Sequence, residues 1–439
     1  MKTRILSSFD FVLLSCTLIL VSLGIAFIYS SGVNSDGVLV TNEYIKQIIW
    51  GSVGLVFMFG TAIIDYRKVK RFSVWLFWGS IFLLLITLVP FIGRKVNGAR
   101  SWLGIGDIGF QPSEFGKICF IFMLAKYLDD SENENPLKRF LVAIAIFLVP
   151  FGLILVQPDM GSATVYIPIF IIMCFSSGIP IRFIMFLLGV GTSMIVFTIL
   201  PVWNEYIAHN SVAIITVLTN FKLKLILLLA FITIFAIALI VRLYFHGPKY
   251  YYWIAFIFLI LSIGLLMSSF AAKFLKDYQI KRLIIFMDPN VDPLGAGWNI
   301  IQSKIAIGSG GWFGRSYLHG TQSHYRFLPQ QSTDFIFSIL SEELGFIGGF
   351  IVFILYFVIM FRILIIIKNT SNRFGMYIAS GILGMFIIHF FINVGMVMGI
   401  MPITGIPLLF LSYGGSSLLT AMSCIGILMS INSRKLDFI

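Results

Sequence analysis

The chain has 439 residues, of which 59% are hydrophobic and only 11% are charged. Soluble domains are usually about 45–50% apolar and about 25% charged, so this composition excludes an ordinary soluble protein and indicates a polytopic membrane protein. The formal net charge of +12 does not indicate nucleic-acid binding, because the lysines and arginines are scattered through short connections rather than gathered into a stripe.

Twelve apolar stretches have about the length that a helix needs to cross a bilayer, roughly twenty residues. They lie near residues 10–30, 46–64, 73–91, 113–128, 138–156, 163–178, 182–201, 222–242, 251–271, 335–362, 375–398 and 405–430. The first stretch is too long for the apolar core of a cleaved signal, so we expect a transmembrane helix there. The sequence predicts an all-α fold, a single membrane helix bundle over residues 1–439 with both termini on one side.

Basic residues in the short connections decide the predicted orientation. Those on the side of Lys2 and Arg4 are Arg67, Lys68, Lys70, Arg71, Lys138, Arg139, Arg182, Arg242, Lys249, Arg362, Lys368, Arg434 and Lys435. By the positive-inside rule this side is cytoplasmic. The extracytoplasmic side then receives residues 93–109, 157–161, 398–405 and the long loop 272–334, so we expect a functional site on the outer face of the cell's inner membrane.

The first polar cluster lies between the third and fourth stretches. A glycine-rich loop with Arg100 and Trp102 leads into a helix that opens with Pro-Ser-Glu, in which Ser113 is the predicted N-cap. Glu114 and Lys117 are three residues apart, so they share a helix face and can form an ion pair. Alternatively Lys117, as an ionisable group at membrane depth, faces a phosphate. Both interpretations stay open.

The second cluster is the sequence QPDMGSA, residues 157–163. Its proline and glycine interrupt two apolar stretches, which predicts a tight turn between two helices. Asp159 lies at that turn, where it can cap the next helix or take part in binding a ligand or ion. The residues alone do not separate these two roles.

The long loop 272–334 is dense in glycine, proline, amides and charges, whereas the flanking stretches are apolar. The run Gly308–Gly311 is a weak candidate for a backbone phosphate cradle, because it lacks the lysine and the flanking strand of a P-loop. Lys304 and Arg315 add cationic groups suited to a pyrophosphate. We therefore expect this loop to contribute to the binding of an anionic ligand.

The loop ends in Ser332, Thr333 and Asp334, directly before an apolar stretch. One of these residues can serve as the N-cap of the helix that follows. Alternatively, a carboxylate half desolvated at the mouth of the bundle is a candidate general base, and the helix start beside it attracts phosphate.

The four cysteines, Cys16, Cys119, Cys174 and Cys424, fall inside apolar stretches and lack metal-ligand spacing. The sequence therefore predicts neither a disulfide framework nor a metal site. No cofactor is indicated, and whether a divalent cation assists is left open.

Five motifs together carry a resemblance to a known family. They are NGARSWLG with FQPSEFGK, QPDMGSA, DPLGAGWNIIQSKIAIGSGG, LHGTQSHYRFLPQQSTDF and NVGMVMGIMPITGIPLLFLSYGGSS. In this order, and over most of its length, the chain resembles the SEDS family (shape, elongation, division and sporulation). The LHGTQSH element and the last motif are more similar to the elongation branch than to the division branch.

The resemblance implies a peptidoglycan glycosyltransferase that polymerises lipid II on the outer face of the cytoplasmic membrane during cell elongation. It also implies a class B penicillin-binding protein as crosslinking partner, within the elongation machinery. The family's essential loop aspartate corresponds to Asp334, its loop arginine and tryptophan to Arg100 and Trp102, and its helix pair to Glu114 and Lys117. On this basis Asp334 is the predicted base, and the cations are predicted to stabilise the pyrophosphate.

The chain departs from the family pattern in two places. Gln330 and Ser332 stand where a glutamate and a histidine are usual, although Thr333 and Asp334 match. About fifty residues, 202–252, form a predicted insertion with two extra apolar stretches. An added helix pair preserves the sidedness of everything after it.

Two other functions remain as alternatives. Charges in the membrane with glycine- and proline-broken helices also suit a transporter that moves lipid II across the bilayer. A scaffold that only recruits cell-wall enzymes is the other alternative. A scaffold would tolerate Asp334→Asn, whereas an enzyme with that base would not.

Overall fold

The structure is a computed structural model that describes residues 9–96, 98–105, 108–206, 213–274, 277–295 and 297–434. Predictions that involve Lys2, Arg4 and Lys435 concern residues outside these ranges. The helices of the described part are α1 (Phe11–Gly32), α2 (Glu43–Ile63), α3 (Tyr66–Leu88), α4 (Pro112–Asp130), α5 (Pro136–Val156), α6 (Met160–Ser176), α7 (Ile181–Tyr206), α8 (Ala213–Thr219), α9 (Phe221–Leu243), α10 (Tyr250–Phe274), α11 (Asp277–Met287), α12 (Trp298–Ser309), α13 (Thr321–His324), α14 (Ile336–Asn369), α15 (Arg373–Val397) and α16 (Gly415–Ser433).

The predicted helical bundle is confirmed. Ten of the described helices are long and apolar enough to cross a membrane, and α4 and α6 occupy the two remaining predicted positions. Three boundaries differ from the prediction by seven residues or more. The last helix begins at Gly415, not near residue 405, α3 begins at Tyr66, not near residue 73, and α14 continues to Asn369, beyond residue 362. Residues 402–414 are apolar but not helical, and hydropathy alone does not distinguish the two.

The glycine-rich loop after α3 contains a small sheet that was not predicted. Its strands are β1 (Gly93–Val96), β2 (Ala99–Ile105) and β3 (Ile108–Phe110), paired antiparallel in the order β1-β2-β3. Val96 pairs with Ala99, so only Asn-Gly separates the first two strands, and Gly98 has a φ of 86°. Asn-Gly is the strongest short-range hairpin signal, because both turn residues tolerate positive φ.

The chain divides into two compact units, residues 1–179 with 302–439 and residues 180–301. In the first unit, α15 and α16 form the core: 78% and 89% of their most apolar windows are buried. In the second unit, α10 packs against both α7 and α9. The predicted insertion at 202–252 falls within this second unit.

Helix α14 breaks at Gly345, where φ is 66° and ψ is −161°. The preceding loop supplies the missing acceptor, since Phe346 N donates to Gly311 O at 2.8 Å. A Cβ on Gly310 would lie only 2.1 Å from Ser341 O. The glycine run predicted as a phosphate cradle therefore approaches the chain's own helix, and Gly310 is required for that close packing.

Candidate functional site

A non-helical segment runs through the core of the first unit. We call residues 402–414 the inner segment; from Leu408 to Ser412 it is buried. Backbone groups inside an apolar environment must find partners, and here side chains of other helices provide them. Tyr356 donates to Leu409 O, Asn393 Nδ2 donates to Ile406 O at 2.8 Å, and Gln47 Nε2 donates to Ser412 O at 3.2 Å.

Asp334 lies beside this inner segment. Asn393 Nδ2 donates to Asp334 O at 3.0 Å as well as to Ile406 O, so one amide joins the two stretches of backbone. A Cβ on Gly405 would lie 3.5 Å from Asp334 Oδ2. The Asp334 side chain is half-buried and Gly405 is exposed, so the carboxylate stands where the inner segment reaches the surface.

The predicted capping of α14 is wrong. The helix begins at Ile336, and its N-cap position is occupied by Phe335, which makes no side-chain capping bond. Residues 330–334 form a tight turn instead: Gln330 has a φ of 52°, and its carbonyl accepts from Asp334 N at 3.2 Å and from Thr333 Oγ1 at 3.3 Å. The turn sets the carboxyl-bearing residue two positions before the first helical one.

The predicted ion pair of α4 is confirmed and is buried. Lys117 Nζ lies 2.7 Å from Glu114 Oε1, with Lys117 0% and Glu114 4% exposed. Lys117 Nζ also lies 3.2 Å from His389 Nε2, and His389 Nδ1 lies 2.9 Å from Pro407 O. A carbonyl only accepts, so Nδ1 carries the proton and the Nε2 lone pair accepts from the lysine. The pair is thereby connected to the inner segment.

Glu114 uses only one of its two carboxylate oxygens. Oε2 is buried and has no hydrogen-bond partner within the described residues. A buried carboxylate oxygen without a partner is costly, so it marks a position at which water or a ligand group would be stabilising.

Ser113 does not cap α4, because the helix begins one residue earlier, at Pro112. Proline suits the first helical position, which places Ser113 inside the first turn. Asp159 caps α6 as predicted, accepting from Ser162 N at 3.0 Å, and it also accepts from Gln111 Nε2 at 2.9 Å. Asp159 thus ties the start of α6 to the start of α4, and a ligand role for it stays a prediction.

Arg100 and Trp102 lie on β2 and are half-buried. Arg100 N donates to Gln157 O at 3.3 Å, which fastens the strand to the turn that holds Asp159. Trp102 packs on Gly109, where a Cβ would come within 2.9 Å of the indole. The structure therefore brings the sheet and the Asp159 turn together.

Lys304 and Arg315 are both exposed. Arg315 Nη1 donates to Thr321 Oγ1 at 2.9 Å and Arg315 Nε donates to Ser309 O at 3.4 Å. Both of these bonds stay within the long loop, so they orient the guanidinium without burying it. The two residues are accessible cations of the unit that holds Asp334, and their part in binding stays a prediction.

Two carboxylates of α14, Glu342 and Glu343, were missed by sequence reasoning. Both are 0% exposed. Glu342 accepts from Gln322 N at 2.8 Å and Ser323 N at 3.2 Å, while Glu343 accepts from Leu318 N at 3.1 Å. Together they hold the loop 316–324 against the bundle. Adjacent carboxylates in an otherwise apolar helix are a signal that could have identified them.

Tyr317 adds a further attachment of this loop. Its hydroxyl donates to Ala26 O at 2.8 Å, and its ring packs edge-on against Phe27 with centroids 5.8 Å apart. Burial raises the pKa of Tyr317, and the charge of Glu343 raises it further. The phenol therefore keeps the proton that this hydrogen bond requires.

His389 and Asn393 were also missed. They are four residues apart on α15, so they lie on one helix face, and they are 1% and 0% exposed. Two polar residues at that spacing within an apolar stretch are the signal. In the described part of the chain no group of three or more His, Cys, Asp or Glu residues could hold a metal ion.

Comparison with known proteins identifies relatives over the full chain. The family model for FtsW, RodA and SpoVE, described as "Cell cycle protein", matches residues 11–222 and 204–436. Peptidoglycan glycosyltransferase RodA of Treponema pallidum is 52% identical over 99% of this chain and 100% of that protein. Stage V sporulation protein E of Bacillus subtilis is 32% identical over 96% of both. Peptidoglycan glycosyltransferase MrdB of Escherichia coli K12 is 33% identical over 88% of this chain and 84% of that protein.

Solved structures share the fold. One, described as structural coordination of polymerization and crosslinking by a peptidoglycan synthase complex, matches with a TM-score of 0.67 and 25% identity over 98% of both chains. The crystal structure of Thermus thermophilus rod shape determining protein RodA matches with a TM-score of 0.60 and 21% identity, also over 98% of both chains. The second likeness is one of fold.

Proposed function

The chain belongs to the FtsW/RodA/SpoVE family of cell cycle proteins, also called SEDS, and from that premise we propose that it polymerises lipid II into glycan strands on the outer face of the cytoplasmic membrane. It is a peptidoglycan glycosyltransferase, as its relatives RodA and MrdB are named, and a multi-pass membrane protein. The proposal is that its substrate is lipid II, that its site faces outward, and that it acts in cell elongation.

The observation that supports this proposal most is the placement of Asp334. Its half-buried carboxylate stands against Gly405 at one end of the inner segment. The buried Glu114–Lys117 pair contacts the same segment through His389 and Pro407. A base at the surface and a polar core beneath it are thus held by one stretch of backbone.

The reaction needs few protein groups. A sugar hydroxyl of the acceptor attacks the anomeric carbon of the donor, a new C–O bond forms, and the bond from that carbon to the lipid pyrophosphate breaks. We propose that Asp334 accepts the hydroxyl proton. Cations stabilise the negative charge that develops on the departing pyrophosphate.

The cationic candidates differ in how accessible they are to the pyrophosphate. Arg315 is exposed and Arg100 half-buried, so a leaving group can reach them as they stand. Lys117 is fully buried and already paired, so it would contact phosphate only by exchanging the Glu114 carboxylate for it. We therefore propose that Arg100 and Arg315 bind the departing pyrophosphate, with Lys304 as a further contact. Lys117 positions the inner segment.

A class B penicillin-binding protein is the proposed partner. The structural relative at 25% identity comes from a complex that coordinates polymerization with crosslinking. A transpeptidase beside the extracytoplasmic loops would receive the strands as they leave. The proposed topology places both termini in the cytoplasm, because the basic connections share that side.

Purified protein with its candidate transpeptidase should convert lipid II into long glycan strands in detergent, visible on a polymer gel. A transporter would instead move lipid II across the bilayer of vesicles without making polymer. A scaffold would do neither. Movement without polymer would replace the glycosyltransferase with a flippase.

His389→Ala should slow polymerisation by about tenfold to a hundredfold, because Lys117 Nζ would lose one of its buried partners and Pro407 O would lose a buried donor. His389→Gln retains one donor and one acceptor, so it should recover most of the rate. Initial rates and thermal unfolding of both variants provide the test. If the two variants lose activity equally while remaining folded, positioning by hydrogen bonds is the wrong account of His389.

A further inference from the structure

The second unit contains two cavities along one face of α7. The larger, about 520 Å³, has Met185, Leu188, Val196, Phe197, Ile260 and Leu261 in its lining. The smaller, about 170 Å³, has Phe197, Thr198, Lys224 and Ser268 in its lining. Phe197 lines both, so the two cavities adjoin.

The cavities differ in chemistry. The larger one is lined mostly by aliphatic side chains, and the distance from Met185 to Phe197 along the helix is about 18 Å, close to the roughly 15 Å of one hydrocarbon leaflet. The smaller one has hydroxyls from Thr198 and Ser268 and one ammonium group, from Lys224. A polar end adjoining an apolar groove of this length matches the shape of a lipid.

Lys224 is the only charged residue among the described residues that line the smaller cavity. Its Nζ donates to Ser268 Oγ at 3.1 Å, and Ser268 is 1% exposed. A hydroxyl does not neutralise an ammonium group. The half-buried lysine is therefore held in the cavity with its charge uncompensated by the lining residues.

Local helix stability does not explain this lysine. Lys224 lies in the first turn or so of α9, which begins at Phe221 after an Asn220 cap. The helix macrodipole favours negative charge at that end and disfavours a cation. An anion seated in the cavity would offset both the dipole and the desolvation of the ammonium group.

We propose that the smaller cavity binds the phosphate of an anionic glycerophospholipid, with one acyl chain of that lipid lying in the larger cavity. A single lysine matches the single negative charge of a phosphodiester. A polyprenyl pyrophosphate carries more charge and would call for more cations than this cavity offers. The site lies in the unit that contains the predicted insertion, so the insertion supplies a lipid contact separate from the catalytic residues.

Native mass spectrometry of the full-length protein tests the proposal. The detergent-purified chain is titrated with phosphatidylglycerol and with phosphatidylcholine of the same acyl chains. Both lipids carry the phosphodiester, but phosphatidylcholine adds a quaternary ammonium group that the uncompensated Lys224 ammonium would repel. We therefore expect phosphatidylglycerol to bind about tenfold more tightly. Lys224→Gln should remove this preference, and Lys224→Arg should retain it.

Lys222→Gln is the matched control. Lys222 is exposed, lies two residues earlier on α9, and does not line the cavity. If Lys222→Gln removes the preference and Lys224→Gln does not, binding is general surface electrostatics and the proposal fails. If undecaprenyl pyrophosphate displaces phosphatidylglycerol and binds more tightly, the occupant is the leaving-group lipid instead. These readouts do not depend on polymerisation.

Discussion

Asp334→Ala should reduce polymerisation by about a hundredfold to ten-thousandfold, the usual contribution of a general base, while the protein remains folded. The backbone carbonyl of Asp334, not its side chain, accepts from Asn393, so truncation leaves that tertiary bond in place. Asp334→Asn keeps the shape of the side chain and should lose the same activity. Gel analysis of glycan polymer and thermal unfolding measure the two properties.

Asp288→Ala is the control for this variant. Asp288 belongs to the same connection between predicted spans, and its carboxylate accepts from Asn290 N at 2.9 Å. Its loss should leave polymerisation close to that of the natural chain. Equal polymerisation by Asp334→Asn and the natural chain would assign the base to another residue.

Separating the Glu114–Lys117 pair should cause the largest loss of stability. Lys117→Met leaves a buried carboxylate and Glu114→Gln leaves a buried ammonium group, and removing one partner of such a pair typically costs about 3–5 kcal/mol. Combining Glu114→Gln with Lys117→Met removes both charges from the core. This double variant should recover much of the free energy of unfolding, since a neutral, well-packed pair is often tolerated. Thermal or denaturant unfolding of the three variants measures the effect.

Activity should not recover with stability in the double variant, because the contact from Lys117 to His389 is absent. The exposed pair Glu134–Lys138, at 3.1 Å, is the matched control. Glu134→Gln should change the free energy of unfolding by less than about 1 kcal/mol. If the two single losses at Glu114 and Lys117 simply add in the double variant, the two residues are not coupled.

Hydropathy was sufficient to locate the spans, because a bilayer imposes nearly the same length and composition on each of them. It failed at the start of α16, since residues 402–414 are as apolar as a span but obtain their hydrogen bonds from side chains of other helices. The Asn-Gly hairpin was legible in the sequence and was missed. Ser113 was misassigned because Pro112 already occupies the first helical position.

The sequence predicted individual residues of the site but not the contacts between them in space. Spacing predicted the Glu114–Lys117 contact, since three residues on a helix set that distance. It could not predict that Asn393 joins Asp334 to Ile406, because those residues are far apart in the chain. Such contacts depend on how helices pack, which periodicity does not report.

The inner segment also bears on the order in which the chain assembles. The side chains that bond its backbone from other helices, Gln47, Tyr356, His389 and Asn393, all precede it in the sequence. The backbone carbonyls of the inner segment are therefore synthesised only after every one of these donor side chains. The inner segment and α16 can dock at once onto helices already in the membrane, so the centre of the unit is completed only after those helices are in place.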